Sequence, residues 1–251
     1  MTWNDITVEQ YSKLYPTLKT EGMSDLELVD NTILQMSIIK RITIDEAQYT
    51  TTKEVKEVQE FLRSELPTKI HRFWKSNGIR YEFNINAERI KAGGYIGIMN
   101  GVKDDPIKNL HLNLFNMCKP VKLGLRGWKP YEFKQYEVTE RIEEFKQMPI
   151  SVAYPIAVFF FESLKKLNKK YSRLFERTDD ENDEQTRRDK SGFSKWGWAI
   201  TIDGLTNGQP HLANNYYDMP VGEFLYWCLY YKDKADEIQR QQDLNKMRNG
   251  Y

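Results

Sequence analysis

Hydrophobic and polar positions follow a helical period through the first 66 residues. Four of these runs open on a hydroxyl residue with Gln or Glu three positions on: Thr7/Gln10, Ser24/Glu27, Thr43/Glu46 and Thr51/Glu54. Each pair predicts a capping box, in which two side chains satisfy backbone N–H groups that a helix start leaves free. Leu26, Val29 and Ile33, with Met36 or Ile38, predict the apolar face of the second helix; Val55, Val58, Phe61 and Leu62 predict that of the fourth. After Pro67 the period changes. Ile70 to Lys75 and Ile79 to Ile85 are rich in aromatic and β-branched residues, and Ser76-Asn77-Gly78 lies between them. Asn-Gly tolerates the positive φ of a tight turn, so a β-hairpin is expected over about residues 70–85.

Helical patterning resumes after Asn86. Lys91 to Val102 is glycine-heavy, which suits close approach of a neighbouring element. Asp105-Pro106 predicts a helix start, with Asp as N-cap and Pro in the first position, and Pro120 predicts its end. Val121 to Gln135 reads as an ordered loop or short hairpin, and Val138 to Gln147 as a charged, exposed helix. A long helix follows from about Ile150 to Phe175, apolar all round in its first half and basic in its second. Met148-Pro149-Ile150 opens it, and Met219-Pro220-Val221 opens the last helix, a short internal echo.

Glu176 to Gly192 contains no apolar residue and is expected to be a mobile linker, because it cannot bury enough surface to offset the entropy of ordering. The division expected is therefore a helical domain with an inserted hairpin over 1–175, a linker over 176–192, and an aromatic helical module over 193–251. That module carries its rings in clusters: Trp196/Trp198, Tyr216/Tyr217, Phe224/Tyr226/Trp227 and Tyr230/Tyr231. In the last helix Val221, Phe224, Leu225, Cys228 and Leu229 form a stripe, which Trp227, Tyr230 and Tyr231 widen. Two readings stand: a helix packed on two neighbours, or a docking face for another chain. The candidate partner-binding residues are Phe224, Leu225, Trp227, Cys228, Tyr230, Tyr231, Trp196 and Trp198.

Composition narrows the chemistry. The 37 Lys and Arg nearly cancel the 36 Asp and Glu, so net charge offers no long-range attraction to nucleic acid or anionic membrane. Lys165, Lys166, Lys169, Lys170 and Arg173 put a basic face on the long helix, but the acidic run from Asp179 to Glu184 opposes a phosphate backbone there. Nucleic acid is not the expected partner. The opening MTWNDITVEQ lacks a secretory pattern, and the longest apolar run, Val152 to Phe161, is too short for a membrane span. The two cysteines, Cys118 and Cys228, are expected to be buried free thiols in a reducing cytosol.

His71, His111 and His211 stand apart, and no paired Cys or His has metal-ligand spacing. No phosphate-binding glycine loop and no nucleophile elbow occurs. The glutamates of the charged helix, Glu140, Glu143 and Glu144, read as solvated helix surface. No metal, cofactor or catalytic residue is assigned, and the chain is not expected to be an enzyme.

Several segments occur in a recognisable order. They are Trp3-Asn4-Asp5-Ile6-Thr7-Val8-Glu9-Gln10-Tyr11, Lys75 to Tyr81, Ile90-Lys91-Ala92-Gly93-Gly94-Tyr95-Ile96 and Asn109-Leu110-His111. Met148-Pro149, Lys195-Trp196-Gly197-Trp198 and Met219-Pro220-Val221-Gly222-Glu223-Phe224-Leu225 complete the series. This order resembles the tail-assembly-chaperone-like proteins of tailed bacteriophages, especially crAss-like phages and others infecting Bacteroidetes. The resemblance implies a non-enzymatic assembly protein that binds the tape measure or another virion component, in the host cytoplasm during assembly or in the virion itself. The alternatives are a virion-resident structural or cargo protein and a nucleic-acid-binding accessory protein. Self-association is also open. The fold expected from all these readings is α+β, mainly α-helical, with a small β-hairpin.

Overall fold

The computed structural model describes residues 1–125, 127–175 and 197–248, with the side chains of 101–104 excepted. The elements in chain order begin with α1 (Val8–Leu14), α2 (Asp25–Lys40), α3 (Ile44–Gln48) and α4 (Thr52–Arg63). Strands β1 (Phe73–Ser76) and β2 (Ile79–Phe83) come next, then α5 (Ala92–Asp104) and α6 (Leu110–Met117). Strands β3 (Cys118–Gly124) and β4 (Gly127–Pro130) precede α7 (Gln135–Glu144) and α8 (Ile150–Lys170). The last helices are α9 (Trp198–Leu205), α10 (Ala213–Asp218) and α11 (Val221–Arg248). The fold is mainly helical with one four-stranded antiparallel sheet, as an α+β reading requires.

All four capping boxes form. Thr7, Ser24, Thr43 and Thr51 each accept from the backbone N–H three residues on, and the Gln or Glu there accepts from the cap residue's own N–H. The hairpin forms too: Asn77 and Gly78 take φ of 45° and 73°, the left-handed pair that a two-residue turn demands. The sheet is larger than the hairpin. The segment read as a loop or short hairpin supplies β3 and β4, and β3 pairs with β2 from Ile79↔Lys122 to Phe83↔Cys118.

The described residues fall into two compact units, with divisions after Ile85 and inside α5 and α8. The first contains residues 1–85 and 97–160, the second 86–96 and 161–251. The expected linker at 176–192 lies outside the described residues. The second unit therefore draws on α8 and on the segment before α5, as well as the C-terminal helices.

In the first unit, Phe145 is fully buried at the centre of an aromatic cluster, within 4.9 Å of the Tyr81 ring and 5.3 Å of Trp74. Phe83 and Phe115 meet it edge-on. Trp3 packs on Phe61 and Tyr11. The second helix departs from its expected face. Leu26 and Val29 are exposed and Ile33 is half-buried; Met36 is buried as expected, but beside Gln35 and Ile39. The rotation has a polar cause: Asn31 and Gln35 both donate to the Thr17 carbonyl, so that side of α2 faces its neighbour. The α6 helix starts later than expected, at Leu110, and Asp105 caps the turn before it by accepting from the Ile107 and Lys108 N–H groups. In α8, Ile150, Ala153, Ile156, Ala157 and Phe160 are buried, while Val158 and Phe159 are exposed.

The Met-Pro echo marks a repeated structure. In the first unit the Val8 N–H donates to the Met148 carbonyl (2.9 Å) and the Ile150 N–H to the Ile6 carbonyl (2.8 Å). In the second, the Ala92 N–H donates to Met219 and the Val221 N–H to Ile90, both at 2.8 Å. Each is a single antiparallel bridge, Thr7↔Pro149 and Lys91↔Pro220. In both, the free N–H of each helix's first residue donates to the carbonyl two residues before the start of the other helix, so two helix starts cap one another. Proline fits immediately before the second helix because it has no N–H of its own to satisfy. The equivalence extends outward. Ile6, Val8, Tyr11 and Leu14 match Ile90, Ala92, Tyr95 and Ile98, and all eight are buried. Ile150, Ala153 and Ala157 match Val221, Phe224 and Cys228, again all buried.

Candidate functional site

The second unit builds its core from the start of α11. Phe224 and Leu225 are fully buried and Cys228 nearly so. Trp198 packs its ring against Phe224 at 5.7 Å and Tyr95 at 5.8 Å. Tyr95 Oη donates to Asn168 Oδ1, Tyr171 Oη to the Gly222 carbonyl, and the Ala87 N–H to Ser163 Oγ. A Cβ on Gly93 would lie 3.4 Å from the Tyr217 carbonyl oxygen, an ordinary contact distance. Phe224, Leu225 and Cys228 are therefore packing residues, and the expectation that they offer partner surface is corrected; Trp198 packs on this core but is only half-buried. Trp196 lies outside the described residues.

The remaining candidates stand on the open side of α11. Trp227 is 37% exposed, Tyr230 47% and Tyr231 38%. Tyr226, one of the clustered rings but not among the candidate residues, is 56% exposed. The four rings touch one another edge-on or tilted, with centroids 5.5 to 6.4 Å apart. Ala235 and Ile238 continue the stripe, both exposed. The repeat supplies a comparison. Positions Trp227, Tyr231, Ala235 and Ile238 of α11 correspond to Ile156, Phe160, Leu164 and Leu167 of α8, and those four are buried. The same helical stripe is thus covered on α8 and uncovered on α11.

Charges border this stripe. Arg173 pairs with Asp233 at 2.7 Å, and the Lys232 ammonium donates to the Arg173 carbonyl. Lys170 pairs with Glu88 at 2.8 Å, and this contact raises its pKa. Two of the five cations in the basic run on α8 and just beyond it are thus already paired, by Glu88 and Asp233. Burial pushes the Cys228 thiol up to about 12, so it is an inert packing group. Burial likewise raises the Cys118 thiol, and its Sγ donates to the Phe115 carbonyl. Both cysteines are free.

Elsewhere, Glu144 departs from the solvated role expected of it. Its carboxylate is nine-tenths buried, pairs with Arg141, and accepts from Tyr81 Oη (2.8 Å) and Asn77 Nδ2 (2.5 Å). This is a structural tie between α7 and the hairpin. A hollow beside α4 is lined by Lys40, Glu54, Glu57, Val58 and Phe61, but the Glu54 carboxylate is already bound to Lys40 and Thr51. Among the described residues no group of three His, Cys, Asp or Glu side chains could hold a metal ion. No described helix is long and apolar enough to cross a membrane. The chain matches no family model, no curated protein and no solved structure.

Proposed function

We propose that this chain is a non-enzymatic assembly protein that docks another protein on the open aromatic stripe of α11. One observation carries the reading: Trp227, Tyr231 and Ile238 are exposed where their α8 equivalents Ile156, Phe160 and Leu167 are buried. A continuous apolar stripe flanked by charged residues fits a helical or elongated partner lying along α11. Rigid aromatic side chains suit such a surface, because they supply large contact area at low entropy cost. The order of segments that resembles phage tail-assembly-chaperone-like proteins directs the choice of partner to the tape measure or another virion component. The experiment is co-purification of the full chain with the structural proteins of its phage. Trp227→Ser with Tyr231→Ser should remove the complex and leave the melting temperature nearly unchanged. A complex that survives both changes sinks the reading.

A further inference from the structure

The chain as a whole is balanced in charge, but its sheet is not. Among the strand residues Lys75, Arg80, Lys119, Lys122 and Lys129 are basic, and Glu82 alone is acidic. Residues directly opposite in an antiparallel sheet share a face. The pairings Phe73↔Glu82↔Lys119, Lys75↔Arg80↔Val121↔Pro130 and Leu123↔Trp128 set Lys75, Arg80 and Lys119 on one face with Glu82, whereas Ile79↔Lys122↔Lys129 puts Lys122 and Lys129 on the other. The other face carries Ile79, Tyr81 and Phe83, all buried. The first face is the more open one, although Val121 at its centre is buried. Phe73, Trp128, Leu123, Lys75 and Lys119 are exposed on it.

Its cations and rings interleave. The Arg80 guanidinium lies 4.2 Å from the Phe73 ring centre and 5.4 Å from that of Trp128, and the Lys75 ammonium lies 5.2 Å from Trp128. Glu82 pairs with Arg80 at 3.0 Å, yet the buried Arg80 Nε has no acceptor. Cation–ring contacts at exposed sites are worth only about 0.5–1 kcal/mol, so an anionic ligand can replace them.

We infer that the outer face of the four-stranded sheet binds single-stranded nucleic acid, with bases stacking on Trp128 and Phe73 and phosphates meeting Lys75, Arg80 and Lys119. Cations alone would suit any polyanion. The flat rings among them favour unpaired bases over a duplex, whose bases are stacked inside, and over an acidic peptide, which has no planes to stack. The inference does not depend on α11, which lies in the other unit. It also differs from the basic run on α8, which the sequence alone brought forward; the pairing of distant strands assembles this patch.

The test is fluorescence anisotropy of the full chain with an end-labelled oligothymidylate about a dozen nucleotides long. Binding should weaken with a log–log salt slope of about −2, as expected for roughly three phosphate contacts on a single strand. Trp128→Ala should weaken it by about tenfold, the typical effect of losing one stacked base. Lys119→Ala, at an exposed position, should weaken it as well while leaving the melting temperature nearly unchanged. A duplex of equal length should bind less tightly. The inference fails if the oligonucleotide does not bind at low salt, or if both variants bind as the parent does. It also fails if polyglutamate or duplex competes equally well, since the face would then be a plain polyanion surface.

Discussion

Removing the Glu144 carboxylate would leave Tyr81 Oη, Asn77 Nδ2 and the Arg141 guanidinium without their acceptor. Both charges of the ion pair are largely buried, so Glu144→Ala strands a cation in a poorly solvated place. Loss of about 3 kcal/mol is expected, read as a lower urea midpoint at neutral pH. A change within a few tenths of a kcal/mol would return Glu144 to the solvated surface. Glu54 predicts a pH dependence. Its hydrogen bond to the Lys40 ammonium, and those to the Thr51 N–H and hydroxyl, hold its carboxyl at about 2 against an ordinary 4.5. The folded state thus binds the proton less readily than the unfolded chain. This contribution is full above the ordinary carboxylate pKa and is lost as pH falls from about 4.5 to about 2. Urea midpoints measured across that range should fall less steeply in Glu54→Gln than in the parent. Equal slopes would contradict the assignment.

At the scale of elements, the N-terminal helices were legible because each carries its own start signal, and a capping box needs only residues three apart. The hairpin was legible for the same reason, through Asn77-Gly78. What sequence could not show depends on partners far along the chain. The short-hairpin alternative for Val121 to Gln135 forms as β3 and β4, but its pairing with β2 was hidden, because Pro120, Gly124, Gly127 and Pro130 lie among few apolar residues. The face of α2 misled because Asn31 and Gln35, polar and so discounted, make the contacts that set its rotation. The aromatic stripe of α11 was found, but its division was not: helical spacing cannot separate Phe224 and Leu225, which are core, from Trp227 and Tyr231, which are open. The division is testable. Phe224→Ala should cost about 4 kcal/mol of stability, the usual price of emptying a packed aromatic site. Trp227→Ser should cost less than about 1 kcal/mol, as exposed positions do. Thermal melts of the two variants check both. Similar losses would place Trp227 in the core.

At the scale of the whole molecule, each of the two units holds one reciprocal helix-start clasp of the same construction, and the covered α8 stripe shows what the open α11 stripe lacks. This contrast, rather than the number of aromatic residues, supports a partner for α11. It also bears on the resemblance to phage assembly proteins, since a transient helper and a permanent virion part would use the same stripe. Mass spectrometry of purified particles separates them: a fixed stoichiometry marks a resident component, and absence marks a helper. The central claim is the docking face itself. A photo-crosslinking amino acid placed at Trp227 in the full chain, during assembly in the cell, tests it most directly. The account predicts a crosslink to one elongated structural protein, which the same probe at the exposed Tyr49 of the first unit does not give. Crosslinks from position 227 only within the chain, or equal products from both positions, would contradict it.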